Sequence, residues 1–311
     1  MAIKKMDGYS PFSWQFLYPR YWLTWLGLFI LFCLAWLPFS IRHFLGRQLG
    51  SFIYHNNKKR HQIVNTNIQL CFPQLSKAAQ TARAKASLQW YGCALLDYSF
   101  FFFSSKKRLY RYMQIEGKQY IDQALAQGHT AIILLAHSAM LEFAPVMLSQ
   151  YFDTYGSYKP LSNPLMDWMI ARNRCKHVKF VIPREAGMVR LVRELKQQQL
   201  LIFLADEDHG SQYSEFANFF NISKATLNTP ARIARLAKAK SFPTMAFYDK
   251  AMKKYRIIIA EPLSNYPTKD AQRNADIMNK SFEDLIRHDP SQYMWLLKLF
   301  KTQLDSSKRY Y

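Results

Sequence analysis

Two hydrophobic rhythms divide the chain. From Tyr21 to Ile41 it reads YWLTWLGLFILFCLAWLPFSI, an uncharged run bounded by Arg20 and Arg42. As a helix, about 21 residues at 1.5 Å each would cover roughly the 30 Å of a bilayer's hydrocarbon. The run has no polar face, and Tyr18, Tyr21, Trp22, Trp25 and Trp36 are aromatics of the kind that sit at membrane interfaces. A membrane helix is therefore predicted here, with a buried or in-plane amphipathic helix as the alternative that Pro38 keeps open. A signal peptide is disfavoured, because the run is long and leads into His43, Arg47, Lys58, Lys59 and Arg60 in place of a small-residue cleavage site. That basic excess after the run places the larger C-terminal part on the cytoplasmic side.

Residues 58 to about 100 have helical spacing, interrupted at Cys71-Phe72-Pro73. Then short apolar runs appear: AIILLA (131–136), VKFVI (178–182), LLIFLA (200–205), FPTMAFY (242–248) and YRIIIA (255–260). Unbroken apolarity means strands covered on both faces, and the spacers are long enough for crossover helices. The body is thus expected to be α/β, a mainly parallel sheet flanked by helices. In such sheets ligands bind beyond the carboxyl ends of the strands, so the residues after each run are where chemistry is to be sought.

Composition narrows the choices. The chain has 311 residues, 42 Lys plus Arg against 21 Asp plus Glu, a net charge of +21, and is half hydrophobic, which excludes a disordered polybasic protein. Low Gly (10), Pro (13) and Cys (4) exclude collagen-like and disulfide-framework classes, and no repeat period appears. The length suits a short anchor unit, 1–45, followed by one large domain, 46–311. The charge predicts attraction to polyanions: nucleic acid, an anionic membrane, phosphorylated substrates or an acidic carrier protein. The cysteines form no C-x-x-C pair, which argues against a thiolate metal site and for a reducing compartment.

After AIILLA comes HSAMLE, which puts His137 and Glu142 five residues apart where a strand gives way to a helix. They can meet only if His137 lies in the turn, because five positions on one helix point the side chains apart. A carboxylate on one imidazole nitrogen would then fix the tautomer and leave the other nitrogen to accept a proton from a hydroxyl. After LLIFLA comes DEDHG, with Asp206, Glu207 and Asp208; a divalent-metal site, an acidic turn, or carboxylates that position arginines would all fit. Between these, YKPLSNPLMDWMIARNRCK (158–176) opens a helix carrying Arg172 and Arg174, suited to gripping phosphate or a developing oxyanion, or merely to a solvated face. Neither type of Gly-rich phosphate loop is present.

In its ordered segments the chain resembles the late lipid A (Kdo2-lipid IVA) acyltransferases of Gram-negative bacteria. The likeness covers nearly the whole length: the apolar N-terminal run, NKKRHQIVNTNIQLCFPQL at 57–75, the H-x-x-x-x-E box at 137–142, Y-x-P…NPLMDW…R at 158–174, LIFLADEDHG, FANFF followed by ATLNTPARIARLAKAK, and SQYMWLLKLFK. Where many members read F-F-G, this chain has Phe219-Phe220-Asn221, and KHVKF at 176–180 lacks the Gly often found near that strand.

The resemblance implies a glycerolipid/lysophospholipid acyltransferase-like fold and transfer of a fatty acyl chain from acyl-carrier protein to the hydroxyl of a 3-hydroxyacyl chain on a phosphorylated glucosamine disaccharide. By motif position His137 is the general base, Glu142 its partner carboxylate and Arg174 the essential arginine. Arg172, Asn163, Asp206 and Asp208 are expected to bind or position substrate. No metal, cofactor or nucleic acid is implied; the partners are the acyl-carrier protein, the lipid A precursor and the bacterial inner membrane. Rival readings are a glycerophosphate or lysophospholipid acyltransferase, and a non-catalytic, membrane-anchored polyanion binder.

Overall fold

A computed structural model describes residues 11–158, 160–183, 187–197, 199–305 and 307–311. Residues 1–10 of the expected anchor unit, and Lys159 of the Y-x-P segment, lie outside the described residues. Short 3-10 turns lead into α1 (Trp22–Leu34), α2 (Phe39–Asn56), α3 (Lys58–Cys71), α4 (Lys77–Phe103) and α5 (Lys106–Arg111). The α/β part then runs β1 (Met113–Glu116), α6 (Lys118–Ala126), β2 (Thr130–Leu135), α7 (Phe143–Leu148), β3 (Thr154–Tyr158), α8 (Pro164–Arg174), β4 (Phe180–Pro183) and α9 (Gly187–Leu195). It continues with β5 (Leu200–Leu204), β6 (Ser214–Phe219), β7 (Ile222–Leu227), α10 (Thr229–Ala237), β8 (Ala239–Asp249), β9 (Lys254–Ile259) and α11 (Ala271–Ile286).

Seven strands form one sheet in the order β1-β9-β8-β2-β5-β3-β4. Neighbours are parallel except β8 and β9, a hairpin pairing Thr244 with Ile259 and Asp249 with Lys254. Every strand expected from the apolar runs is present, and β2 shows why the runs lack polar alternation. Ile132 and Leu134 pack into one core with Leu201, Met245 and Phe282, whereas Ala131, Ile133 and Leu135 pack into another with Ile202, Phe143 and Phe100. Both faces of the central strand are therefore dry. The β6–β7 hairpin stands outside this sheet and turns at Phe220 and Asn221, whose φ values of 51° and 67° are left-handed. Two positive-φ residues make a tight hairpin turn, and Asn tolerates that conformation nearly as Gly does.

The expected helix across Tyr21–Ile41 is interrupted. α1 ends at Leu34 and α2 begins after Pro38, whose missing N–H and fixed φ suit the start of a new helix and not the interior of a continuous one. At 13 residues α1 measures about 20 Å, and among the described residues no helix is long and apolar enough to cross a membrane. Arg42, read as the charge flanking a membrane run, is fully buried, its Nε donating to Asp97 Oδ1 of α4 at 2.6 Å.

α2 and α4 cross on glycines. A Cβ built on Gly50 would lie 2.1 Å from the Leu88 carbonyl oxygen, and one on Gly92 would lie 2.1 Å from the Gly46 carbonyl oxygen. The helices touch backbone to backbone, and this seats the N-terminal layer on the α/β body. Gly50→Ala is expected to destabilise the protein by about 1–3 kcal/mol through overpacking. A melting temperature within one degree of wild type would contradict so close a crossing.

Candidate active site

The site is built where β2 ends. His137 and Ser138 follow Leu135 and Ala136 into an irregular turn, and the C-terminal segment lies against that turn: Met294 N donates to the His137 carbonyl (3.0 Å), and Ala139 N donates to the Gln292 carbonyl (2.8 Å). Gln292 also grips β8, accepting from Tyr248 N at 2.7 Å and donating to Tyr248 O at 3.0 Å. The QYMW segment thus fixes the backbone on which His137 is carried.

Asp206, just past β5, is almost fully buried and accepts three hydrogen bonds. They come from His137 Nδ1 (2.5 Å), the His137 backbone N–H (2.8 Å) and the Tyr293 hydroxyl (2.9 Å). The other ring nitrogen, Nε2, faces Glu207 Oε1 at 3.2 Å. Burial favours the neutral ring, but Asp206 and then Glu207 outweigh it and push the His137 imidazole up to about 10. For Asp206 burial would raise the carboxyl; the charge and hydrogen bonds of His137 hold it below the usual carboxylate range.

Glu142 does not meet His137. It stands at the start of α7 and accepts from Arg174 of α8, Nε to Oε2 at 3.0 Å with Nη2 closing the fork on Oε1, while the Tyr98 hydroxyl donates to Oε1 at 3.4 Å. The expected histidine–glutamate pair is replaced by two pairs, His137–Asp206 and Arg174–Glu142. A planar guanidinium matches a carboxylate on two hydrogen bonds, which an imidazole cannot do. All the same, His137, Glu142, Arg174, Glu207 and Tyr98 line one cavity of about 330 Å³, whose remaining wall includes Leu135, Leu141, Val178, Val181 and Ile202. A second cavity of about 570 Å³ shares the walls Ser157 and Leu204 with it and is lined by Ile182, Leu191, Phe203 and Arg232 among others.

The remaining expected site residues fall elsewhere. Asp208 binds the Thr302 backbone N–H (2.7 Å), the Thr302 hydroxyl (2.8 Å) and Gly210 N (2.9 Å), fastening the C-terminal tail. Among the described residues neither Asp206 nor Asp208 holds an arginine; backbone, ring and hydroxyl donors occupy their oxygens. Arg172 is exposed with its guanidinium 5.3 Å from the Trp168 ring centre, and it does not line the cavity. Asn163 caps α8, accepting from Leu165 N (3.1 Å) and Met166 N (3.2 Å), and donates to Thr24 of α1 at 3.2 Å. Its signal was that of a cap before Pro and a helix, not of a substrate ligand.

Three contributors were not singled out from sequence, Tyr293, Tyr98 and Lys224, while Glu207, read there only as one of three acids, lies at His137 Nε2. Glu207 sits in the middle of the DED run, and Tyr293 inside the QYMW segment. Lys224 of β7 is completely buried, its Nζ without a hydrogen-bond partner among the described residues. Burial lowers its pKa against the pull of Asp206 and Asp208.

The comparisons with known proteins point one way. The family described as bacterial lipid A biosynthesis acyltransferase matches residues 9–302. A lipid A biosynthesis lauroyltransferase of Escherichia coli is 30% identical over 96% of this chain and 97% of its own. A palmitoleoyltransferase of the same pathway and organism is 31% identical over 94% and 95%. A lipid A biosynthesis acyltransferase of Haemophilus influenzae is 31% identical over 97% and 95%.

Because its folded pKa is raised, the His137 ion contributes stability that is fully present below the ordinary imidazole pKa of about 6.5 and is lost as pH rises through about 10. NMR of the imidazole is expected to find His137 charged at pH 7, and the melting-temperature gap between wild type and Asp206→Asn to narrow as pH climbs through that window. A ring titrating near 6.5 would refute the pairing.

Proposed function

This chain belongs to the bacterial lipid A biosynthesis acyltransferase family, and we propose that it moves a fatty acyl chain from the thioester of acyl-carrier protein to the 3-hydroxyacyl hydroxyl of a lipid A precursor, Kdo2-lipid IVA or its lauroylated product. The observation that carries this reading is a carboxylate-backed histidine opening on an apolar-walled cavity with an arginine beside it. The thioester is already activated, so no cofactor is needed. What remains is to deprotonate a hydroxyl, hold two lipid substrates together and stabilise an oxyanion.

In this mechanism the acceptor hydroxyl takes the place of Glu207 at His137 Nε2. Its oxygen attacks the thioester carbonyl carbon and its proton passes to Nε2, while Asp206, hydrogen-bonded to Nδ1, stabilises the imidazolium. Arg174, held by Glu142, faces the negative charge of the tetrahedral intermediate. As the C–S bond breaks, the carrier's sulfur takes the proton from Nε2, leaving an ester and a free thiol. Asp206 therefore has the orienting role that spacing had suggested for Glu142, and Glu142 acts through Arg174.

The N-terminal unit, 1–45, is read as the part that holds the enzyme to the cytoplasmic face of the inner membrane, and 46–311 as the catalytic domain. Support comes from large apolar side chains that α1 leaves exposed: Trp22 64%, Leu23 81% and Phe29 63%. The exposed Lys58, Lys59, Lys106 and Lys107, with half-buried Arg60, suit docking of an acidic carrier.

His137→Ala is expected to reduce acyl transfer by about 10²–10⁴-fold with the fold intact, and Glu142→Ala to reduce it comparably by releasing Arg174. Turnover of lipid IVA and lauroyl-carrier protein by Glu142→Ala at near wild-type rate would sink the scheme. Since the base is the neutral ring, kcat/KM should rise with pH towards an ionisation well above the imidazole range, and Asp206→Asn should bring that limb down in pH while lowering its height. Raising the salt concentration should increase KM for the carrier protein far more than it lowers kcat; a salt-indifferent KM would count against electrostatic docking.

A further inference from the structure

Helix α2 is built inside out. Its buried face carries Arg42, His43, Gly46, Gly50 and Tyr54. Its exposed face carries Ile41 (46%), Phe44 (53%), Leu45 (39%) and Phe52 (64%). A surface helix normally does the reverse, because apolar side chains left in water forgo the main gain of folding. Here the polar residues turn inward because Asp97 of α4 lies beneath them, 2.6 Å from Arg42 Nε and 2.9 Å from His43 Nε2. The aromatics Trp22, Phe29 and Phe32 of α1, and Trp36, are exposed as well.

On the neighbouring stripe of α2, Ser40, His43 and Arg47 recur at helical spacing and line a cavity of about 470 Å³ with Lys250 and Lys253 of the β8–β9 turn. Among the described residues no carboxylate lines it. Among the described residues, none of Arg47, Lys250 and Lys253 forms an ion pair with an acidic side chain. Asp97, the nearest acid on α4, is sealed from solvent and already held by Arg42 and His43. Three exposed cations thus converge on one concavity at the edge of an apolar stripe. That pairing matches the two ends of a single molecule, a phosphate headgroup and its acyl chains.

We propose that this cavity seats the phosphate of an anionic membrane phospholipid, with the Ile41, Phe44, Leu45 and Phe52 stripe set among the acyl chains of the same leaflet. The inference rests on the reading that the chain works at a membrane, and it adds the site that chooses an anionic surface. It is distinct from the His137 cavity, with which it shares no lining residue.

The test is flotation of the full chain with vesicles of phosphatidylcholine alone, and of phosphatidylcholine mixed equally with phosphatidylglycerol. Wild type should prefer the mixed vesicles, and Arg47→Ala/Lys250→Ala/Lys253→Ala should lose that preference by roughly 10²-fold, about fivefold per cation, while still binding phosphatidylcholine. A charge-matched control at the exposed Lys269, Lys301 and Lys308 should keep it. Phe44→Ser/Leu45→Ser should weaken binding to both vesicles alike. Equal losses from the two lysine-containing triple variants would overturn the site in favour of unlocalised charge. Saturation of the detergent-solubilised chain by micromolar inorganic phosphate would overturn it in favour of a free anion. Melting temperatures check that each variant folds. His137→Ala is expected to float as wild type does, so failure of the acyl-transfer reading and failure of the lipid seat are read separately.

Discussion

Most of the architecture converges on one buried carboxylate. Asp206 carries its charge where water is absent, a position that costs several kcal/mol unless every lone pair is used. Two of its donors come from His137 at the end of β2, and the third is Tyr293 from the C-terminal segment. Removing any one donor leaves charge uncompensated in an apolar interior. That need explains why residues 69 and 87 positions apart along the chain arrive together, and why the C-terminal strap lies against the turn after β2 and not elsewhere.

The centre of the sheet was legible because β2, β5 and β8 are largely buried on both faces and appear as apolar runs, whereas the runs at β4 and β9 carry Lys179 and Arg256 and β9 alternates half-buried with buried residues. β1 and β3 were not legible: MQIE and TYGSY are short, partly polar edge-side segments whose strand character comes from parallel neighbours. The β6–β7 hairpin was hidden likewise, its turn formed by Phe-Asn and not by a Gly-containing pair. The N-terminal run misled for a different reason. Apolarity reports what a segment can lie against, not whether one helix continues through Pro38, and Arg42 looked like a flanking charge because its partner Asp97 is 55 residues away.

The candidate site was partly legible. Strand ends are where a parallel sheet presents its loops, so His137, Glu142 and the DED run were found from the apolar runs they follow, and Arg174 from the helix between them and the family resemblance. Their partners were not. Spacing joins His137 to Glu142, but spacing carries no information about Arg174, which returns on α8 after β3 and takes Glu142 on two hydrogen bonds. Asn163 shows the converse: its signal before Pro164 was real, but it was a capping signal.

The division into two ion pairs has a mechanistic consequence that a single histidine–glutamate pair would lack. Two carboxylates on His137 make the ring a stronger base than free imidazole but also keep it protonated at rest, and a protonated ring cannot accept a proton. The two supports differ in permanence. Asp206 is immobilised by three donors in the dry interior, whereas the Glu207 side chain is 33% exposed and, among the described residues, pairs with His137 and His209. In the proposed mechanism a hydroxyl arriving at Nε2 displaces the weaker support, so part of the push that keeps the ring charged is lost where the acceptor needs a free base. Asp206 stays in place to receive the imidazolium once the proton has moved. In that scheme, selective removal of the outer carboxylate by substrate lets one histidine be strongly held when empty and available when occupied.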